Sequence, residues 1–361
     1  MLGSVSSVPL PSEDRQNPVQ MASQTGSEGG ATPRVSIVLP VYNSAKELPA
    51  ALAELEKQTF QDREIIIVDD GSSDETWETA KALSAGRSDV ILERTEHHGP
   101  SHARNEGLRL SHGNIIFFSE SDCVYDSTYL QKAVDCLDSQ RDAAAVCLTG
   151  APLITRATMA TNCIEIENKV QHRLLNQGKI EPFYAWVFRR DALLSLGGFD
   201  NRLFQGEDKD LFRRLKEAKF SVAWVPGINW HHTRNQTTSE LASKWFRRGR
   251  TRLLYLTKHR RASEIARGVV PLWATILGLI LLAWSPLLGF IVLLAVVAVF
   301  FVRTLWVMSV SWPLVDKKRG YLGYPLFIFV RNSATAMGYT VSLITIPLRK
   351  LQGREIAWDT L

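Results

Sequence analysis

Apolar positions along this chain change rhythm twice, and the changes mark its parts. From Val35 to Val41 the sequence reads VSIVLPV, a β-branched run of strand length. Leu48, Leu52 and Leu55 then recur at helical spacing within Ala45–Gln58, and Glu64–Val68 returns to a short strand pattern. Strand, helix and strand within ~35 residues predict a βαβ unit with parallel strands. Ligands bind such sheets at the carboxyl ends of the strands, which is where Asp69, Asp70, Gly71 and Ser72 fall. The same reading predicts a strand over Ile115–Ser119, a helix over Tyr129–Leu137, a strand over Ala144–Leu148 and another ending near Val225. Leu211, Phe212, Leu215 and Ala218 form one stripe of a helix preceded by Glu207 and Asp208.

The second rhythm is helical and basic. Ser239–Arg261 interleaves Leu241, Trp245, Phe246, Leu253 and Leu254 with eight lysines and arginines, as in a helix lying on an anionic leaflet. The third is apolar throughout, with no charged residue from Gly268 to Val302. Pro286 divides it into expected spans of roughly Val269–Trp284 and Leu287–Met308. A further segment, Tyr324–Pro347, carries Arg331 and is expected to span, re-enter or lie at the interface. The chain therefore divides into a disordered tail (1–33), an α/β domain (34–238), a basic amphipathic region (239–267) and a transmembrane region of two to three helices (268–361). The tail is rich in Ser, Gly, Pro and Gln, and no signal-peptide apolar core follows the start. With basic clusters flanking the spans, the α/β domain is expected on the cytoplasmic side.

Composition narrows the partners. A net charge of +5 concentrates beside the apolar run, which points to a membrane surface, and no nucleic-acid-binding motif is present. The four cysteines have neither CxxC spacing nor a histidine cluster, so they read as idle thiols in a reducing compartment.

The chemistry gathers at FFSESDC, Phe117–Cys123. If the strand continues, period-2 alternation points Glu120 and Asp122 to one side, and such carboxylates suit Mg²⁺ or Mn²⁺ together with substrate phosphates. In VDDGSSDET, Ser73 or Asp74 is placed to cap the following helix. Arg104 offers fork-like donors for phosphate oxygens, with a surface ion pair as the plain alternative.

Five segments in order resemble glycosyltransferase family 2: VSIVLPVYN, VDDGSSDET, HHGPSHARNEG, FFSESDC and GGFDNRLFQGEDKDLFRRL, covering roughly Arg34–Asn235. The resemblance implies a GT-A fold and an inverting, metal-dependent transferase that uses a nucleoside diphosphate sugar, with a UDP-sugar first in line. Pro40, Tyr42 and Asp70 would border the nucleobase and ribose, Asp70 accepting the uracil imide, and Arg104, Glu120 and Ser121 would complete the nucleotide-sugar site. Asp122 and Glu120 would hold the metal, with His232 a further candidate ligand. Asp208 would be the general base and Glu207 would orient the acceptor. Gly198, Trp245 and Arg331 fall on the acceptor side, and the acceptor is expected to be a lipid or lipid-linked molecule. Glu120 departs from the family's commoner Asp-x-Asp, and only Ser243-Lys244-Trp245 remains of the Gln-x-x-Arg-Trp motif of processive synthases. A processive polysaccharide synthase and a catalytically silent partner subunit are the alternatives.

Overall fold

The computed structural model describes residues 32–149, 158–176, 186–226, 230–232, 238–259, 262–312 and 320–351. The tail at 1–33 lies almost wholly outside them. Strands β1 (Val35–Val41), β2 (Arg63–Asp70), β3 (Val90–Thr95) and β4 (Ile115–Phe118) run parallel to one another. With β6 (Ala143–Thr149), β7 (Val187–Arg189) and β8 (Ser221–Pro226) they form a seven-stranded sheet of order β3-β2-β1-β4-β7-β6-β8. β7 is antiparallel to both of its neighbours. Strand alternation divides the core in two. Ile37, Leu39, Ile65 and Ile67 face α1 (Leu48–Glu56) and α4 (Tyr129–Ser139), while Val38, Ile66 and Val68 face α3 (Pro100–Leu110) and α7 (Glu207–Glu217).

The parallel α/β core is as expected; the edge strand β3 and the antiparallel β7 are not, and two expected elements differ in extent. The first helix is shorter than Ala45–Gln58 because Ser44–Glu47 form the turn that leads into Leu48-Pro49. β4 stops at Phe118, so alternation along a strand does not align Glu120 with Asp122. A turn does so instead, closed by Cys123 N–H donating to the Glu120 carbonyl at 3.3 Å. The chain then enters β5 (Cys123–Tyr125), which pairs antiparallel with β9 (Trp230–His232).

Helices α5 (Met159–Asn176), α6 (Arg190–Ser195), α8 (Thr238–Lys258), α9 (Ala262–Trp284), α10 (Pro286–Ser311) and α11 (Gly320–Leu351) flank or follow the sheet, and α11 lies alongside α8 in the same direction, Trp245 meeting Phe327 and the Ser342 hydroxyl donating to the Arg250 carbonyl. The turn at Ser285 lets α9 and α10 form the hairpin expected from Pro286. Among the described residues one helix is long and apolar enough to cross a membrane, Pro286–Val310, with mean hydropathy 2.6; Val269–Trp284 is apolar but shorter. Leu287, Ile291, Val297 and Val302 on α10 are each more than half exposed. α11 is not apolar enough to count as such a span, and its Arg331 pairs with Glu167 of α5. The basic helix α8 does not simply lie on a surface, because Leu241 and Trp245 are buried against Tyr324 and Phe327 of α11.

Candidate active site

The parallel strands β1, β2 and β4 end together, and a cleft of about 470 Å³ opens beyond them. β4 leaves β1 opposite Val38, so Pro40 and Val41 keep a strand partner only on the β2 side. Nine of the residues expected at the site line this one cleft: Pro40, Tyr42, Asp70, Arg104, Glu120, Ser121, Asp122, Glu207 and Asp208.

At one end the Tyr42 ring stacks on His97, with centroids 4.0 Å apart and planes 17° from parallel. Asp70 is buried beneath them and commits its carboxylate to the loop before α3. Oδ1 accepts the His98 N–H at 3.0 Å, and Oδ2 accepts the Gly99 N–H at 2.9 Å and faces His97 Nδ1 at 2.8 Å. Asp69 turns the other way, accepting the Ser72 N–H at 3.1 Å and pairing with Arg94 at 3.2 Å. Glu75, neither Ser73 nor Asp74, stands at the cap position of α2 (Thr76–Ser84), and Asp74 accepts the Thr76 N–H at 3.0 Å in the turn that leads into it.

Arg104 occupies the centre. Its side chain is 5% exposed, Nη1 donates to Glu207 Oε1 at 2.9 Å, and Nη2 lies 3.6 Å from Glu120 Oε1. The guanidinium also lies over the rings of Trp186 and Phe199, at 5.2 and 5.4 Å, so an always-charged group is held without solvent. It joins the carboxylates of the FFSESDC turn to those that open α7.

The oxygens of Glu120 and Asp122 and the Cys123 thiol lie within 4.8 Å of one another. Burial, reinforced by the adjacent Glu120 and Asp122, lifts the Cys123 thiol well above the ordinary thiol range. It therefore stays protonated, and the available donors are two carboxylates, an oxygen set that fits a hard divalent cation retaining positions for phosphate oxygens. His232 pairs in backbone register with Cys123, one residue past Asp122; its side chain lies outside the described residues.

Glu207 and Asp208 open α7 from Gly206, and Asp208 Oδ1 accepts the Lys209 N–H at 2.8 Å. Asp208 is thus inside the first turn and not the residue that caps it. Burial pushes Glu207 up to about 7, with Arg104 opposing the rise and Asp208 adding to it. Facing them are Lys244 and Arg248, one turn apart on α8. In the sequence Lys244 and Arg248 read as cations of a leaflet-facing helix and His97 as one of three histidines, with His98 and His102, that resemble a metal cluster; Trp186 and Phe204 did not stand out. The Lys244/Arg248 spacing is legible, but amphipathicity alone could not separate cations facing a cleft from cations facing a leaflet.

The three residues expected on the acceptor side lie away from the cleft lining. Gly198, at φ +69°, packs against Asn105, whose Oδ1 would lie 2.4 Å from an added Cβ, and its carbonyl accepts from Arg214 at 2.8 Å. Trp245 is buried edge-on against Phe327 at 5.1 Å. Arg331 stacks over Trp245 at 5.9 Å and is held by Glu167, which also accepts from the Tyr324 hydroxyl at 2.9 Å.

A twisted, mostly parallel sheet that ends on a carboxylate-bearing turn, with a second acidic pair opening a helix across the same cleft, defines a glycosyltransferase of GT-A fold. The comparisons agree. A model of glycosyl transferase family 2 matches residues 36–197, the α/β part of this chain. The glycosyltransferase AglE of Haloferax volcanii is 27% identical over 230 residues, which cover 60% of this chain and 72% of that protein. A PGL/p-HBAD biosynthesis glycosyltransferase of Mycobacterium bovis is 34% identical over 104 residues, 28% of this chain and 41% of that one. Among solved structures, the mannosyltransferase PcManGT from Pyrobaculum calidifontis, in complex with GDP-Man and Mn²⁺, has a TM-score of 0.55. At 16% identity over 91% of this chain and 95% of that one, the likeness is one of fold.

Proposed function

We propose that this chain is an inverting, metal-dependent glycosyltransferase. It takes a sugar from a nucleoside diphosphate sugar, a UDP-sugar in the first instance, and passes it to a lipid or lipid-linked acceptor. The observation that carries the reading is the single cleft in which Glu120 and Asp122 face Glu207 and Asp208 across Arg104. The relative of similar fold whose structure holds GDP-Man and Mn²⁺ supports both donor class and metal.

In this account Glu120 and Asp122 would hold a divalent cation, which would supply charge neutralisation for the departing diphosphate. Asp208 removes the proton of the acceptor hydroxyl as its oxygen forms a bond to the anomeric carbon from the face opposite the leaving group. Electrons of the broken glycosidic bond leave with the nucleoside diphosphate, and the anomeric configuration inverts. Arg104 keeps Glu207 beside Asp208, and Lys244 and Arg248 set a positive field where negative charge develops or arrives. The lipid acceptor rests on the position of α8, which is a wall of the cleft on one side and packs against α11 on the other. The long apolar helix α10 supports a membrane-bound enzyme, and the cytoplasmic side for the catalytic domain is read from the basic residues that flank the apolar run.

Turnover of a panel of radiolabelled UDP- and GDP-sugars by the purified chain tests the donor and metal together. The expected result is Mn²⁺- or Mg²⁺-dependent release of nucleoside diphosphate, reduced about 100-fold or more in Asp122→Asn. Full turnover by that variant, or by wild type in chelator, overturns the metal assignment.

A further inference from the structure

We infer that the junction of α5, α10 and α11 holds the headgroup phosphate of one acidic phospholipid, with Arg303 as the residue that grips it. The inference rests on the membrane reading above and concerns a site apart from the donor cleft, none of whose lining residues it uses.

Depth is the first observation. No charged residue occurs from Gly268 to Val302, and Arg303 is the first to follow. Counted from Pro286 at 1.5 Å per residue, Arg303 lies ~25 Å along α10 from the Ser285 turn. Trp284, 91% exposed, marks that turn, and Trp306, 52% exposed, sits about 30 Å along α10 from it. Two exposed indoles separated by the thickness of a hydrocarbon layer, ~30 Å, match aromatic residues at its two interfaces. Arg303, one turn before Trp306, is therefore at headgroup depth. This end of α10 is the one nearer the α/β domain, because Val307 shares a core with Leu241 and Trp245 of α8, whose Lys244 and Arg248 line the cleft.

Charge is the second. Two guanidiniums and a hydroxyl converge on Glu167 of α5. Arg331 pairs with Oε2, the Tyr324 hydroxyl donates to Oε1 at 2.9 Å, and Arg303 Nη2 approaches Oε1 only to 3.9 Å. Arg331 also lies over Trp245 and Phe327, at 5.9 and 5.7 Å, so its charge is matched and its faces are covered. Arg303 is the surplus cation. Its side chain is 47% exposed against 16% for Arg331, and among the described residues it donates no hydrogen bond. One carboxylate between two cations leaves a net positive charge at an outer surface, and an anionic headgroup is its complement. The guanidinium fork suits phosphate oxygens.

The surroundings are fixed and apolar, as a lipid requires. Phe300 and Val307, on either side of Arg303 in α10, are buried with residues of α5 and α11, and Arg173 of α5 donates to the Val310 carbonyl. Val299 and Val302 are exposed beside the cation and give an acyl chain a wall to lie on.

The test is native mass spectrometry of the full-length chain in detergent, titrated separately with phosphatidylglycerol and phosphatidylcholine, and with inorganic phosphate as competitor. Wild type is expected to take up its first phosphatidylglycerol about tenfold more tightly than phosphatidylcholine, and an equal concentration of inorganic phosphate should not displace it. Arg303→Gln should bring the preference to within about twofold of unity with phosphatidylcholine binding unchanged. Glu167→Gln, which removes the competing carboxylate but can still accept from Tyr324, should keep the preference or raise it. The inference is overturned if wild type binds the two lipids equally, if Arg303→Gln keeps the preference, or if Glu167→Gln loses it. Displacement by inorganic phosphate would make this a free-anion site and overturn it as well. A chain that takes up neither lipid and stays dispersed without detergent would overturn the membrane reading itself, a result distinct from the others.

Discussion

Glu207 is the residue at which burial and charge compete most openly. It sits at a helix N-terminus and receives Arg104 at 2.9 Å, both of which favour the carboxylate, yet desolvation beside Asp208 lifts it to about 7. The sign of the consequence follows from linkage. Between the ordinary 4.5 and about 7 the folded chain holds a proton that the unfolded chain has lost, so this group lowers stability as pH rises through that window and is level above it. The unfolding midpoint of wild type should therefore fall from pH 4.5 to 7 relative to Glu207→Gln. Transfer should show the opposite trend, with an acidic limb near pH 7, because ionised Glu207 holds Arg104 in place. Glu207→Gln should lower the rate roughly tenfold or more and remove that limb. An unchanged limb in the variant would assign the titration elsewhere.

At this scale the sequence was a good guide to residue type and a poorer one to contact. The carboxylates, Arg104 and Tyr42 converge as their motifs imply, because each motif lies at the end of a strand or the start of a helix. His97 was hidden in a row of three histidines that gives no local sign of which ring stacks. Asp70 read as a ligand group, and only the fold reveals how much of its carboxylate the His97–Gly99 loop takes.

Among the elements, α8 does the joining. Lys244 and Arg248 face the cleft, Leu241 and Trp245 face α11, and Lys258 and His259 at its end clasp buried Asp210 of α7 at 2.6 and 2.8 Å. Its contact with α11 is very close. A Cβ added at Gly249 would lie 2.2 Å from the Thr335 carbonyl oxygen, and one at Gly338 would lie 2.2 Å from that of Phe246. Backbones pack at this distance only through small residues, as in membrane helix pairs. Gly249→Val should push the helices apart and move Lys244 and Arg248, lowering transfer at least about tenfold with nucleotide affinity changed less than about twofold. Loss of nucleotide binding in parallel would instead place α8 in the support of the donor end. Helical spacing made α8 legible as a basic amphipathic helix. Its partner was not legible, because α11 lies about eighty residues further on and nothing local encodes the pairing.

For the whole molecule, an α/β domain with its cleft open toward α8 is continuous with helices whose outer surface is apolar. α10 exposes a row of large apolar side chains that water would not support, and a bilayer is the medium that would cover them. The full chain should remain with membranes through an alkaline carbonate wash and require detergent for release. Recovery in the soluble fraction would contradict an integral membrane enzyme. The apolar run and its Pro286 break were plain in the sequence, since length and absence of charge are one-dimensional properties. The fate of Arg331 was not, because its partner Glu167 lies in α5, a segment without any motif.

The most direct test of the account is transfer of label from the UDP- and GDP-sugar panel into the organic-extractable lipid of membranes carrying the protein, wild type against Asp208→Asn. The account predicts labelled lipid from one donor with wild type, and at least about a 100-fold loss in the variant. Equal labelling by Asp208→Asn, or label confined to water-soluble product, would contradict it.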